Sequence, residues 1–192
     1  ASLTEIGVIQ HDTIQNLDHI ESIFCNSTIL RKARIHPIDV LKALKTYESG
    51  GSVGKSRKTW TVVDRVVDIL EESLALSFDT QEPTGKIFCH AVDISSSMTW
   101  TPLESVHLTC SEIAATMALV IAKAERVYAS RRFSRDFTDL GISKRDSFSS
   151  ACRKTRDQSF GGTDASVAYD WAIQNKIYFD VFCFWTDSES WA

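Results

Sequence analysis

Two short apolar segments that each run into polar, aspartate-containing loops constrain the fold of this chain most strongly. They cover residues 86–92 and 178–185, and turn or polar residues bound them, as expected of buried strands. Between them lie two segments with helical periodicity, at about 105–126 and 165–174. Because strands that alternate with helices form parallel sheets with right-handed crossovers, this order predicts a doubly wound α/β fold for residues 83–192.

Oxygen-bearing side chains follow both predicted strands, at the edge where open α/β sheets bind their ligands. The pattern Asp-x-Ser-x-Ser after the first strand is weak alone, because serine and aspartate are common in turns. Its context makes the pattern specific. Along the chain, the order is strand, Asp-x-Ser-x-Ser, long helix, Gly-Gly-Thr-Asp, strand and Thr-Asp. The candidate ligand set is Asp93, Ser95, Ser97, Thr163 and Asp187.

An all-oxygen set of two carboxylates and three hydroxyls suits a hard divalent cation and disfavours zinc. Mg²⁺ is the expected cofactor, with Mn²⁺ and Ca²⁺ as alternatives. Gly161 and Gly162, directly before Thr163, let the backbone approach the ion closely. The ion in such a site keeps part of its positive charge and has room for a further ligand. An acidic side chain or a phosphate oxygen of a partner would therefore complete its coordination shell. The sequence therefore predicts a docking site.

Residues 1–82 show helical periodicity and no strand signal. Apolar residues recur at helical spacing over 38–47, directly after Pro37, and again over 62–76. The segment 50–59 between them is rich in Gly, Ser and Lys, which predicts a surface loop. Because two or three helices rarely form an independent domain, this half is expected to belong to a larger helical array or to pack on the second half of the chain.

Charge is distributed unevenly along the chain. The formal net charge is −4, which excludes a uniformly basic surface, but residues 123–156 contain 10 basic and 4 acidic residues. Such a segment is either a surface for phosphate or an acidic protein, or a solvated helix face and loop. The second interpretation is favoured, because small charge excesses are common on soluble proteins.

Cysteine usage and hydropathy exclude several classes of protein. The five cysteines are odd in number and none has Cys-x-x-Cys spacing, which argues against a disulfide framework and a structural zinc site. A reducing compartment fits this pattern best. No apolar run approaches the roughly 20 residues that span a bilayer, so no membrane is expected as a partner.

Residues 86–192 resemble the von Willebrand A fold with its metal-ion-dependent adhesion site. In that family, the residues that match the candidate ligand set hold the metal, partly through water. The earlier half resembles the Ro autoantigen family, in its segments 33–37, 43–50 and 82–86 and in Trp60. Members combine a ring of helical repeats, the TROVE module, with an A-type domain. The resemblance therefore assigns residues 1–82 to the end of the ring.

This resemblance implies a non-enzymatic ribonucleoprotein component of the cytoplasm, with the nucleus as a second location. Its partners would be small noncoding Y RNAs and the ends of misfolded RNAs. The candidate RNA contacts are Arg34, His36, Lys55, Arg57 and Lys58. Most of the ring is missing, and the A domain stops soon after Asp187, where the family continues. The chain is therefore expected to be a fragment or a shortened relative.

Other interpretations remain open from the residues alone. An A-type adhesion domain would bind an acidic residue of a partner protein through Mg²⁺, without RNA. An accessory module of a metal chelatase would need neighbouring ATPase motifs. Residues 49–56 nearly match a phosphate-binding loop, but they begin with Ser49 and follow a helical segment, so no nucleotide cofactor is expected. His36 suits a helix start better than an RNA contact, and Trp100 is the aromatic residue most suited to meet a partner.

Overall fold

A computed structural model describes residues 14–52, 58–100, 102–103, 107–156 and 163–187. The chain divides into two compact units. The first comprises residues 1–81 and 103–108, and the second comprises residues 82–102 and 109–192. Residues 103–108 thus group with the helical unit, which the sequence did not indicate. Within the described ranges, no helix is long and apolar enough to cross a membrane.

The first unit contains four described helices. They are α1 Ile14–Phe24, α2 Ser27–Lys32, α3 Pro37–Glu48 and α4 Asp64–Phe78. Helix α3 begins at Pro37, whose fixed φ suits a first helical position, and the Nδ1 of His36 accepts a hydrogen bond from the Ile38 N–H at 3.2 Å. Helices α3 and α4 pack together through their buried faces, in which Leu41 and Leu74 take part.

Tyr47 ties the end of α3 to the chain that leads into α4. Its ring stacks on Trp60 with 6.2 Å between ring centroids, and the Trp60 Nε1–H donates to the Tyr47 carbonyl at 2.9 Å. The Tyr47 hydroxyl also accepts a hydrogen bond from the Val63 N–H, the N-cap residue of α4. These contacts join the two flanks of segment 50–59, the predicted surface loop, which we call the basic loop; its residues 53–57 lie outside the described ranges.

The strands are β1 Phe88–Asp93, β2 Pro102–Leu103, β3 Leu108–Thr109, β4 Tyr128–Phe133, β5 Phe137–Asp139 and β6 Val181–Trp185. The second unit is built on a four-stranded sheet in the order β5-β4-β1-β6, and β2 pairs with β3 in a small sheet of its own. Strands β4 and β6 both pair parallel to β1, and β5 pairs antiparallel to β4. The described helices are α5 Ser97–Trp100, α6 Cys110–Ala124, α7 Phe148–Thr155 and α8 Val167–Asn175. The predicted α/β class is therefore confirmed.

The long predicted helix at 105–126 begins later than the sequence suggested. Thr109 caps α6: its hydroxyl accepts from the Glu112 N–H at 3.2 Å, and the Glu112 carboxylate accepts from the Thr109 N–H at 2.9 Å. This capping box fixes the first residue of the helix at Cys110, and Leu108 lies in β3. Small buried residues on α6, including Ala115 and Ala118, let the helix pack close to β1 and β4.

Asp146 organises the turn that precedes α7. Its carboxylate accepts hydrogen bonds from the Ser143 N–H at 2.7 Å, the Ser150 hydroxyl at 2.6 Å and the Lys154 ammonium at 2.8 Å. Burial alone raises the pKa of Asp146, but the bonds from Lys154, Ser150 and Ser143 outweigh it and hold the pKa well below its usual range.

Acid therefore weakens the fold at this turn. Because the folded pKa of Asp146 is depressed, its contribution to stability is fully present above the unfolded pKa of about 4 and is lost progressively as pH falls from there through the folded pKa. We expect Asp146→Asn to lower the free energy of unfolding by about 1–2 kcal/mol at pH 7 and by a smaller amount at pH 3. Urea unfolding at both pH values measures this. Asp136→Asn, at an exposed carboxylate, is the control, and an equal loss at both pH values contradicts the prediction.

Candidate functional site

Asp93 ends strand β1 at the carboxyl edge of the sheet, and its side chain is 1% exposed. Strand β1 is buried along its whole length, so the aspartate is carried into the protein interior rather than into solvent. Its Oδ1 accepts from the Ser95 N–H at 2.8 Å, and its Oδ2 accepts from the Thr186 hydroxyl at 2.8 Å. The first bond closes a tight turn after the strand, and the second joins the ends of β1 and β6.

Ser95 and Ser97 lie in the same turn, and both hydroxyls face one point, as their spacing predicts. Their Oγ atoms are 3.0 Å apart, and the Ser97 hydroxyl donates to Asp187 Oδ1 at 3.1 Å. The structure thus connects Asp93, Ser95, Ser97 and Asp187 through short polar contacts, with Thr186 as a fifth member. Thr186 was absent from the candidate ligand set, although its place in the Thr-Asp pair after a strand signals it.

Thr163 approaches the same edge of the sheet from a third loop. The residue is buried, and the N–H of its neighbour Asp164 donates to the Ser134 carbonyl at 3.1 Å. Ser134 directly follows Phe133, which pairs with Asp93 across β4 and β1. Thr163 is therefore anchored one strand away from Asp93, and Gly161 and Gly162 lie outside the described residues.

The chemistry and spacing of these oxygens fit a hard cation. Neighbouring ligands of an octahedral Mg²⁺ at ~2.1 Å lie about 3 Å apart. The oxygen pairs Ser95–Ser97 and Ser97–Asp187 are separated by 3.0 and 3.1 Å. In the described part of the chain, no three or more His, Cys, Asp or Glu side chains gather as a metal cluster. A cation here would depend on hydroxyls as well as on the two carboxylates.

The pKa values of one thiol and one imidazole in the second unit are shifted toward their neutral forms. Burial and the charge of Asp187 raise the pKa of the Cys110 thiol at the start of α6. Burial lowers the pKa of His90 to about 4. The Nδ1 of His90 accepts from the Trp185 Nε1–H at 2.9 Å, and the two rings stack. His90 and Trp185 therefore act as packing residues in the sheet.

The candidate RNA contacts in the first unit have separate structural settings. Arg34 is exposed and has a φ of 53°, in the left-handed turn after α2. His36 caps α3, which is the structural role that the sequence favoured. Lys58 is exposed at the end of the basic loop, and its N–H donates to the Ser52 hydroxyl at 2.9 Å. Lys55 and Arg57 lie outside the described residues.

Trp100 is an aromatic residue close in sequence to the candidate ligand set, and it is 75% exposed. It follows Ser97 by three residues in α5, so the two side chains share one side of this short helix. Trp171, by contrast, packs over the Arg131 guanidinium at 3.9 Å from its ring centroid. Of these two tryptophans, Trp100 is the one available to a partner.

Comparison with known proteins gives consistent matches. Residues 87–192 match the family model of the Ro60 vWA domain. The chain is 35% identical over 192 residues to RNA-binding protein RO60 of Deinococcus radiodurans and 32% identical to RNA-binding protein RO60 of Caenorhabditis elegans. It covers 36% and 29% of those two proteins. The crystal structure of the Deinococcus radiodurans RO (RSR) protein matches the whole chain with a TM-score of 0.91 and 35% identity, over 38% of that chain. The chain thus spans about a third of the length of these relatives.

Proposed function

The chain belongs to the Ro60 family, and from that membership we propose that it is part of an RNA-binding ribonucleoprotein subunit. Its partners in this proposal are small noncoding RNAs of the Y RNA type and misfolded RNAs, and its role is binding rather than catalysis. The observation that carries the proposal is the 35% identity over the whole chain to a protein named for RNA binding. The cytoplasm is the proposed location, with the nucleus as a second one.

We further propose that the candidate ligand set holds Mg²⁺, with Mn²⁺ or Ca²⁺ as substitutes. Asp93 and Asp187 supply the negative charge, and Ser95 and Ser97 supply neutral oxygens at a spacing that suits an octahedral ion. The bound ion would supply a positive centre for an oxygen ligand from a partner. Asp93 is fixed by two hydrogen bonds before any ion arrives, so little reorganisation would be needed on binding.

The ligand of this cation would be an RNA phosphate or an acidic side chain. The exposed Trp100 next to Ser97 favours a partner with a flat apolar group close to its anionic oxygen, as a nucleotide has. A partner protein that presents a carboxylate is the second candidate function, because carboxylate and phosphate oxygens are equivalent ligands for Mg²⁺.

One binding experiment tests the proposed function. A fluorescein-labelled RNA hairpin with a single-stranded 3′ end is titrated with the chain, in Mg²⁺ or EDTA, over a salt series. We expect binding whose log affinity falls linearly with log salt concentration, because phosphate contacts release counterions. No binding at the lowest salt concentration contradicts the RNA-binding proposal for this chain.

The same titration with Asp93→Asn separates the two ligands of the cation. If the RNA phosphate binds the ion, affinity depends on Mg²⁺ and is lost in the variant. If RNA binds in EDTA as in Mg²⁺, and Asp93→Asn binds as the wild type does, RNA contacts the basic segments instead. That result leaves the cation site for a protein partner. Ser96→Ala is the matched control, because Ser96 lies in the same turn but its hydroxyl makes none of the described contacts with the candidate ligand set.

A further inference from the structure

A broad depression lies at the amino-terminal end of the sheet, where β4 begins. One pocket of about 580 Å³ is lined by residues 123–126, Tyr128 and residues 143–145. A second pocket of about 660 Å³ is lined by residues 83–87 and 125–127. The two pockets adjoin, because Glu125 and Arg126 line both. Strand β1 runs six residues, roughly 20 Å, from this end to Asp93, so the depression is separate from the candidate ligand set.

The charged residues that line this depression are almost all cationic. We define the basic pocket by its five cations, which are Lys86, Lys123, Arg126, Lys144 and Arg145. The lining contains one carboxylate, Glu125. Lys86, Arg126, Lys144 and Arg145 are exposed, and no described contact joins any of their side chains to an acidic group.

The acidic groups around the basic pocket are committed to other partners. The buried Glu125 accepts from the Thr84 N–H and hydroxyl, both at 2.7 Å, and from the Gly85 N–H at 3.1 Å. Asp146 is paired with Lys154, and Asp180 accepts from the Ile87 N–H at 2.8 Å. Their charges remain, but their oxygens are occupied by partners other than the five cations. The surface therefore offers an excess of positive charge.

The turn that carries Lys144 and Arg145 is fixed rather than loose. Within the turn, the Arg145 N–H donates to the Ser143 hydroxyl at 3.3 Å. The Ser143 N–H donates to Asp146 at 2.7 Å. The backbone that carries these basic side chains is thus fixed by hydrogen bonds, which lowers the entropic cost of binding an anion.

We propose that the basic pocket binds backbone phosphates of RNA, as a contact surface of the A-type domain that is independent of the cation. This inference rests on the proposed RNA-binding function. RNA is favoured over an acidic protein because six of the fourteen lining residues are charged and five of those are cations, whereas the centre of a protein interface is depleted of charge. Protein–nucleic acid interfaces are polar and strongly positive, and arginine matches phosphate through two parallel hydrogen bonds. Tyr128 adds one aromatic group within the lining.

The test compares two triple variants that remove the same charge. Arg126→Gln, Lys144→Gln and Arg145→Gln together empty the basic pocket of three cations. Arg135→Gln, Arg153→Gln and Lys176→Gln together remove three exposed cations that line neither pocket. The probe is a labelled oligouridylate of about 20 nucleotides, longer than the roughly 4–16 nucleotides that single domains cover. Binding is measured by fluorescence anisotropy over a salt series in EDTA, after circular dichroism has shown that both variants are folded.

We expect the pocket variant to bind at least about 10-fold more weakly than the wild type at ~50 mM salt, and the control variant within about two-fold. The slope of log affinity against log salt concentration should fall by about 2, since each single-stranded phosphate contact contributes about 0.7. If the wild type binds no RNA, the proposed function and this inference both fail. If the wild type binds and the two variants lose equal affinity, only the inference fails. Displacement of RNA by polyglutamate at equal charge concentration also overturns it, because the pocket would then prefer acidic protein.

Discussion

Asp93→Asn is expected to abolish the stabilisation of this chain by Mg²⁺ while its fold persists. Asp93 is buried and supplies one of the two carboxylates in the candidate ligand set. Asparagine has the same size and one remaining carbonyl oxygen, so the bond from the Ser95 N–H can be kept. The charge is lost, and the amide NH₂ would replace an oxygen that now accepts from Thr186. A hard divalent ion binds such an amide far more weakly than a carboxylate.

The magnitude follows from linkage between binding and folding. An ion present at ~100 times its dissociation constant stabilises the folded state by about 2.7 kcal/mol. We expect the free energy of unfolding of the wild type to be higher by about this amount in saturating Mg²⁺ than in EDTA. For Asp93→Asn, we expect the free energy of unfolding to be nearly the same in the two buffers. Urea unfolding in the two buffers measures both values. Mg²⁺ should stabilise Ser97→Ala less than the wild type but more than Asp93→Asn, because this variant loses a neutral oxygen ligand and keeps both carboxylates.

Ser96→Ala controls for changes in the turn itself, and Mg²⁺ should raise its free energy of unfolding as much as that of the wild type. A wild type that unfolds at the same urea concentration in EDTA and in saturating Mg²⁺ contradicts the proposed cation site. A Mg²⁺ effect that survives in Asp93→Asn contradicts the role of Asp93 and places the ion elsewhere.

The strands β1 and β6 could be predicted from sequence because each is a short apolar run with polar residues at its end. Strand β4 could not, because Arg131 and Arg132 interrupt its apolar pattern. The structure explains how Arg131 is tolerated in a sheet. Its guanidinium lies 3.9 Å from the Trp171 ring centroid and 5.1 Å from that of Phe137, and it donates to the Phe137 carbonyl at 2.7 Å. These partners are distant in sequence or in another strand, so no local pattern reveals them.

In the candidate ligand set, too, contacts within one loop could be predicted from sequence, whereas contacts between loops could not. The spacing of Ser95 and Ser97 is local, and it predicts that both hydroxyls face one point; their Oγ atoms are 3.0 Å apart. The contact between Ser97 and Asp187 depends on the register of β1 against β6, in which Val92 lies opposite Trp185. Only pairing of the two strands determines that register, so the sequence could place both loops at one edge but could not give their separation.

Phe133→Ala is expected to have the largest effect on stability. Phe133 is 0% exposed at the end of β4, and its ring meets Phe184 edge to face with 6.0 Å between centroids. It belongs to the core cluster that includes Cys89 and Ala168. Removing a buried ring leaves a cavity in addition to the lost transfer free energy, which costs about 3–5 kcal/mol for phenylalanine. That is a large fraction of the ~5–15 kcal/mol that stabilises a typical domain.

Hydrogen exchange is the appropriate measurement, because it reports the protection of the individual strands around Phe133. We expect amides of β1, β4 and β6 to lose about 3–5 kcal/mol of protection in Phe133→Ala, whereas α3 and α4 of the first unit serve as the internal reference. Tyr178→Ala removes an aromatic ring that is 72% exposed, and it should change protection by less than about 0.5 kcal/mol. A loss below about 1 kcal/mol for Phe133→Ala would mean that the sheet relaxes into the cavity. Because Phe133 pairs with Asp93, such relaxation would also displace the carboxylate, and Mg²⁺ stabilisation would then fall in the same variant.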